Sequence, residues 1–166
     1  MSQELVKCPC CDKMVSANSI ELIFRKPDFI ASLSESEIKN NCRYSDDVFT
    51  YKTDKFYIRC ILPIPVHEKD DDYCLGVWVK VTQEDFEHIY NIWEIKDQTN
   101  ELPIVGLLAN DVPLTKNTLN AEIKIQLIGD KSRPIVTITD QSCSLKKEQM
   151  CGISIHRANE FSDLCR

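Results

Sequence analysis

Glycine is scarce in this chain, with four in 166 residues. Gly76, Gly106 and Gly129 lie far apart. That excludes a phosphate loop of the GxGxxG or P-loop kind, which brings backbone N–H groups onto phosphate through closely spaced glycines. No G-x-S-x-G elbow occurs, so the serine-hydrolase signature is missing. No apolar run reaches the roughly 18 residues that a membrane span needs. Met1-Ser2-Gln3-Glu4-Leu5-Val6 has neither a basic region nor a long apolar core, so no secretory signal is expected. Lys and Arg total 20 against 26 Asp and Glu, a net charge of −6. No basic stripe gathers those cations. Nucleic acid is therefore not expected as a ligand, because binding it takes clustered cations that displace counterions.

The chain is not short of thiols or of core-forming residues. At 43% hydrophobic, it is expected to fold as one domain over residues 1–166. Residues 1–25 form an N-terminal segment that contains Cys8-Pro9-Cys10-Cys11. The nine cysteines are odd in number and irregular in spacing. Together with the missing signal, this leads to the expectation of a reduced cytosolic protein with mostly buried, inert thiols.

Periodicity supplies the fold class. Pro27 to Asn40 reads as a helix with Phe29, Ile30, Leu33 and Ile38 on its apolar side. Val48 to Tyr51 and Lys55 to Pro63 flank Thr53-Asp54 as a hairpin. In the second strand Phe56, Ile58, Cys60 and Leu62 face one way and Tyr57, Arg59 and Ile61 the other. Tyr73 to Val81 alternates Leu75, Val77, Val79 and Val81 against Gly76, Trp78 and Lys80. Thr82 is an N-cap candidate for a helix whose stripe is Phe86, Ile89, Tyr90 and Trp93. Pro103 to Leu108 is a further strand, and Ala121 to Ile128 with Pro134 to Thr139 is a second hairpin. Ser144 to Leu164 reads as two helices broken at Gly152. Strands in consecutive groups, without regular βαβ alternation, predict an α+β domain built on a mainly antiparallel sheet with packed helices.

The candidate chemistries each have a plainer reading. Cys8 and Cys11 have the C-x-x-C spacing that turns two thiolates toward one Zn²⁺. No second C-x-x-C completes the site, so ordinary reduced surface thiols are the commoner outcome of such a pair. A cysteine nucleophile needs a histidine base beside it, and Cys143 with His156 would meet only through folding. The loop Glu68-Lys69-Asp70-Asp71-Asp72 is either a solvated connection or a patch contacting a partner. Trp78 and Tyr57 share a sheet face that is either an aromatic binding surface or a core covered by helices. Arg59 is either an ion-pair partner of a carboxylate or an anion ligand.

Several segments together resemble a bacterial domain-of-unknown-function family, number 2199. They are Phe56-Tyr57-Ile58-Arg59, Leu62-Pro63-Ile64-Pro65-Val66, Gly76-Val77-Trp78-Val79, Gly106-x-Leu108, Thr118-Leu119, Arg133-Pro134 and Glu148-Gln149-x-x-Gly152-Ile153-Ser154. The resemblance implies a small bacterial cytosolic domain and no particular activity. It carries over Cys8 and Cys11, and it places Cys143 where the family pattern has histidine.

The expected function is a non-enzymatic protein-binding module, of the kind that neutralises a toxin or effector as an immunity protein or inhibitor. The acidic balance favours a basic partner. Asp70, Asp71, Asp72 and Trp78 are the expected contact residues. No cofactor is expected under this reading. The alternative is a small zinc- or thiol-dependent enzyme that uses the N-terminal cysteines, with Cys8 and Cys11 as metal ligands.

Overall fold

A computed structural model of the chain describes residues 21–165, together with the backbone of residues 5–7 and 14–16. Strands β1 (Leu5–Lys7) and β2 (Met14–Ser16) pair antiparallel as a ribbon of their own. Helices α1 (Asp28–Ala31) and α2 (Glu35–Asn41) follow. The single helix expected over Pro27 to Asn40 is thus two. Ser34 is the reason: its backbone is extended, and its hydroxyl accepts from the Glu37 N–H as the N-cap of α2.

The main sheet runs in sequence order through β3 (Cys42–Tyr44), β4 (Val48–Tyr51), β5 (Lys55–Ile64), β6 (Tyr73–Val81), β7 (Ile104–Leu108), β8 (Glu122–Gln126) and β9 (Ile135–Ile138). Each consecutive pair is antiparallel. β9 then meets β5 in parallel, with Ile135 opposite Ile61. The Ile61 N–H donates to the Pro134 carbonyl at 2.9 Å across this seam. Strands β5 to β9 therefore close into a five-stranded barrel, and β3 and β4 extend beyond it. In a five-strand meander the first and fifth strands run the same way, so closure has to be parallel. The domain is α+β, as the sequence predicts, but its sheet is mixed and closed where a mainly antiparallel one was expected.

Three further helices complete the domain: α3 (Gln83–Ile92) between β6 and β7, then α4 (Ser144–Cys151) and α5 (Ile155–Asp163). Thr82 caps α3 as expected, its hydroxyl accepting from the Asp85 N–H at 3.1 Å. None of the helices among the described residues is long and apolar enough to cross a membrane.

Alternation along the strands fills the barrel. Ile58, Cys60, Leu62 and Ile64 of β5, Leu75, Val77 and Val79 of β6, and Ile123 and Ile125 of β8 are all buried inside. Each large aliphatic side chain buried this way contributes about 1.5–3 kcal/mol. Leu145, Ile155 and Phe161 join the same core from α4 and α5.

A second core lies on the outer face of β4 to β6. There Phe49, Tyr57 and Trp78 pack with Ile30 and Ala109, and Phe24, Phe29, Leu33 and Ile38 cover them. Trp78 was expected at a partner-binding surface, but it is 1% exposed. Its indole N–H donates to the Phe24 carbonyl at 2.9 Å, and its backbone N–H donates to Asn110 Oδ1 at 2.8 Å. The aromatic face is closed by α1, α2 and the chain leading into them, so of the two readings the helix-covered core holds for Trp78 and Tyr57.

Candidate functional site

The ribbon β3–β4 leaves the barrel at the edge of the sheet, and β3 is its terminal strand. Helix α3 runs beside it. Between them lies a cavity of about 1180 Å³, lined among others by Cys42, Tyr44, Thr50, Phe56, Phe86 and Tyr90. A neighbouring cavity of about 470 Å³ shares Ser45, Val48, Phe86, Tyr90 and Asn91 with it and reaches Trp93 and Glu94. The two form one groove along α3. A cleft of this size, with an apolar floor and a few polar groups, is the default place for a ligand or a partner segment.

The floor is rigid. Phe56 of β5 and Phe86 of α3 pack with ring centroids 5.3 Å apart. The rim is aromatic and open: Tyr44 is 63% exposed and Tyr90 71% exposed. Tyr44 is held by stacking on Phe49, with centroids 4.7 Å apart and planes 12° apart. Tyr90 belongs to the stripe expected to face the core. Ile89 of the same stripe is buried as expected, whereas Tyr90 is exposed and lines the groove. Lys39 of α2, Arg43 of β3 and Lys52 just after β4 line one side and Glu87 of α3 the other, so the two walls differ in charge.

The thiol that lines the groove is Cys42. Burial, and after it Glu37, push the Cys42 thiol above its usual pKa. Burial likewise raises Cys143, and raises Cys74 to about 11 with Glu21 adding to the effect. A raised thiol pKa means less thiolate, which is the reactive form. Cys143 and His156, weighed as a nucleophile and base, have other surroundings. Cys143 is buried at the N-cap of α4, and His156 Nε2 lies 3.6 Å from Glu160. His88 pairs with Glu101 at 2.8 Å, and His67 Nε2 lies 2.8 Å from the Cys151 carbonyl. Among the described residues no group of three or more His, Cys, Asp or Glu is placed to hold a metal ion. Cys8 and Cys11, the expected metal ligands, lie outside the described residues.

Asp70, Asp71 and Asp72 are exposed at the tip of the β5–β6 loop. The base of that loop is tied down. His67 N–H donates to the Ile153 carbonyl at 2.9 Å and Ile153 N–H to the Pro65 carbonyl at 2.8 Å. The Glu68 carboxylate accepts from Ile155 N–H at 2.8 Å. Three carboxylates are thereby presented on a fixed stem. They stand beyond the Ile64 end of β5, whereas the large cavity is lined by Phe56 near the start of that strand. Trp78 is in neither place.

The groove was not visible in the sequence. Its two tyrosines come from separate parts of the chain, and only the position of Tyr90 at the margin of an amphipathic stripe hinted at it.

No curated protein and no solved structure matches the chain. A family model described as an uncharacterized protein conserved in bacteria matches residues 7–153. That span covers most of the chain, from the cysteine segment to the turn between α4 and α5, and the chain belongs to that bacterial family, DUF2199.

Proposed function

We propose that this chain is a non-enzymatic, cytosolic protein-binding module that receives an extended segment of a partner in the groove between the β3–β4 ribbon and α3. One observation carries the reading. A terminal strand lies beside a cavity of about 1180 Å³, with Tyr44 and Tyr90 exposed at its rim. Tyrosines supply large amphipathic contact area at low entropic cost. A terminal strand supplies backbone groups to a segment laid alongside it. The net charge of −6 favours a basic partner, and the anchored tip Asp70–Asp72 is a second contact that steers such a partner. Neutralising a basic toxin or effector, as an immunity protein or inhibitor does, is the role that joins these features.

The test is site-specific photo-crosslinking in bacterial cells that express the protein. A photoreactive residue replaces Tyr44, Tyr90 or, as a control, Met150, which is 74% exposed away from the groove. One protein adduct shared by positions 44 and 90 and missing at 150 is expected. The same adducts from all three positions, or none at 44 and 90, would overturn the proposal.

A further inference from the structure

A second, smaller cleft of about 360 Å³ opens near the turn of the β3–β4 ribbon. Phe49 and Trp78 line it, and Arg25, Lys26, Asp46 and Arg59 supply its charge. In a chain with more acids than bases, three of those four charged side chains are cations. Arg59 sits opposite Trp78 in the β5–β6 register. Its guanidinium carbon is 5.7 Å from the centroid of the Trp78 ring, close enough for the ring face to favour the cation.

The fork of Arg59 is only partly satisfied. Nη1 donates to the Asp46 carbonyl at 3.2 Å, while Nε is buried with no acceptor. A buried donor without an acceptor costs its full desolvation. The sequence offered a carboxylate partner as one reading of Arg59, and the structure withholds it. Asp47 is engaged by Arg133, whose Nε is 3.3 Å from its carboxylate. Asp28, beside Lys26 in sequence, accepts from Asn110 Nδ2 at 3.0 Å and from Asp111 N–H at 2.7 Å. Among the described residues Arg25, Lys26 and Arg59 make no ion pair with a carboxylate. Three cations thus line one small concave space with a single acid, Asp46, and one of the cations has an unpaired donor, while Asp47 and Asp28 are engaged elsewhere.

We propose that this cleft binds a small oxyanion, a phosphate or carboxylate group, with Arg59 as the planar fork and Arg25 and Lys26 neutralising its charge. A guanidinium edge matches two oxygens of such a group in one plane. This site adjoins the groove, sharing Tyr44 and Ser45 with it, but its anion chemistry does not depend on the groove reading.

The test follows the arginine Nε–Hε and tryptophan indole signals by ¹⁵N–¹H NMR. Inorganic phosphate and acetate are titrated separately, with ionic strength held constant by sodium chloride. A saturable shift of the Arg59 Nε–Hε and Trp78 indole signals is expected with at least one anion. Phosphate alone identifies a phosphoryl ligand, and response to both admits a carboxylate. Arg25→Gln alters an exposed side chain and should weaken binding on the order of tenfold. Arg59→Lys keeps the charge but loses the fork and should weaken it at least as much. No saturable shift with either anion would overturn the proposal, and so would wild-type affinity in Arg25→Gln.

Discussion

Ile61 of β5 lies opposite Ile135 of β9 in parallel register, and its N–H donates to the Pro134 carbonyl at 2.9 Å. This contact turns a seven-stranded meander into a barrel with an attached ribbon. The Ile61 amide should therefore exchange with solvent as slowly as the central β5–β6 amides, because releasing it requires opening the barrel. Hydrogen exchange followed by NMR reads this directly. Exchange as fast as that of Thr53, in the β4–β5 turn, would mean that the seam is open in solution.

Trp78 joins two layers, and its loss should be felt as core damage. Trp78→Ala is expected to cost about 3–5 kcal/mol. Trp78→Phe fills part of the space but leaves the Phe24 carbonyl without its donor, at about 1–3 kcal/mol. Urea unfolding of both variants gives the comparison. A near-wild-type midpoint for Trp78→Ala would contradict the buried position.

Gly106 lets β7 approach β6. A Cβ there would stand 2.8 Å from the Lys80 carbonyl oxygen and 2.8 Å from a Val79 methyl. The backbone oxygen cannot swing aside as a side chain would. Gly106→Ala should destabilise by about 1–3 kcal/mol, read from the thermal or urea midpoint. An unchanged midpoint would show that β7 shifts outward without loss.

The protein should lose stability in alkali. Burial, then Asp54 and Cys42, push the Tyr57 hydroxyl up to about 12. Burial also raises Tyr73, and raises Cys74 to about 11. These groups hold their protons more tightly folded than unfolded, so their contribution is complete below the unfolded values. It falls as pH rises, from about 9 for the thiol and about 10 for the tyrosines. Urea midpoints measured between about pH 8 and 11 should decline, and Tyr57→Phe should flatten the decline above about pH 10. A flat profile in the wild type would count against the burial of these groups.

The two proposed contact regions should separate from stability. Tyr90→Ser removes an exposed ring and should change stability by less than about 0.5 kcal/mol while abolishing the crosslink at position 44. Replacing Asp70, Asp71 and Asp72 together by Lys should leave the fold intact, slow association with a basic partner and reduce its salt dependence. Unchanged association kinetics would remove the loop from the proposal.

How much of this was legible beforehand depends on the range of the interaction concerned. The faces of β5 and β6 follow from the alternation of Ile58, Cys60 and Leu62 and of Leu75, Val77 and Val79, because a strand's side chains repeat every two residues. The cap at Thr82 and the break at Gly152, where φ is +81°, are equally local. The break at Ser34 was missed. Its capping role competes with an apolar pattern that reads straight through it.

The sequence by itself determined the alternating core, the capped start of α3 and the break between α4 and α5, the exposed acidic loop and membership of a family whose motifs span the chain. Only the tertiary structure decided that β9 returns to β5 and that α1 and α2 bury Trp78. It also decided that Tyr44 meets Tyr90 across a groove and that Asp47 goes to Arg133 and leaves Arg59 without a carboxylate. Local patterns say which side of a strand is apolar. What covers that side, and which of two nearby arginines a carboxylate chooses, is settled by distances between segments far apart in the chain, and no local periodicity encodes those distances.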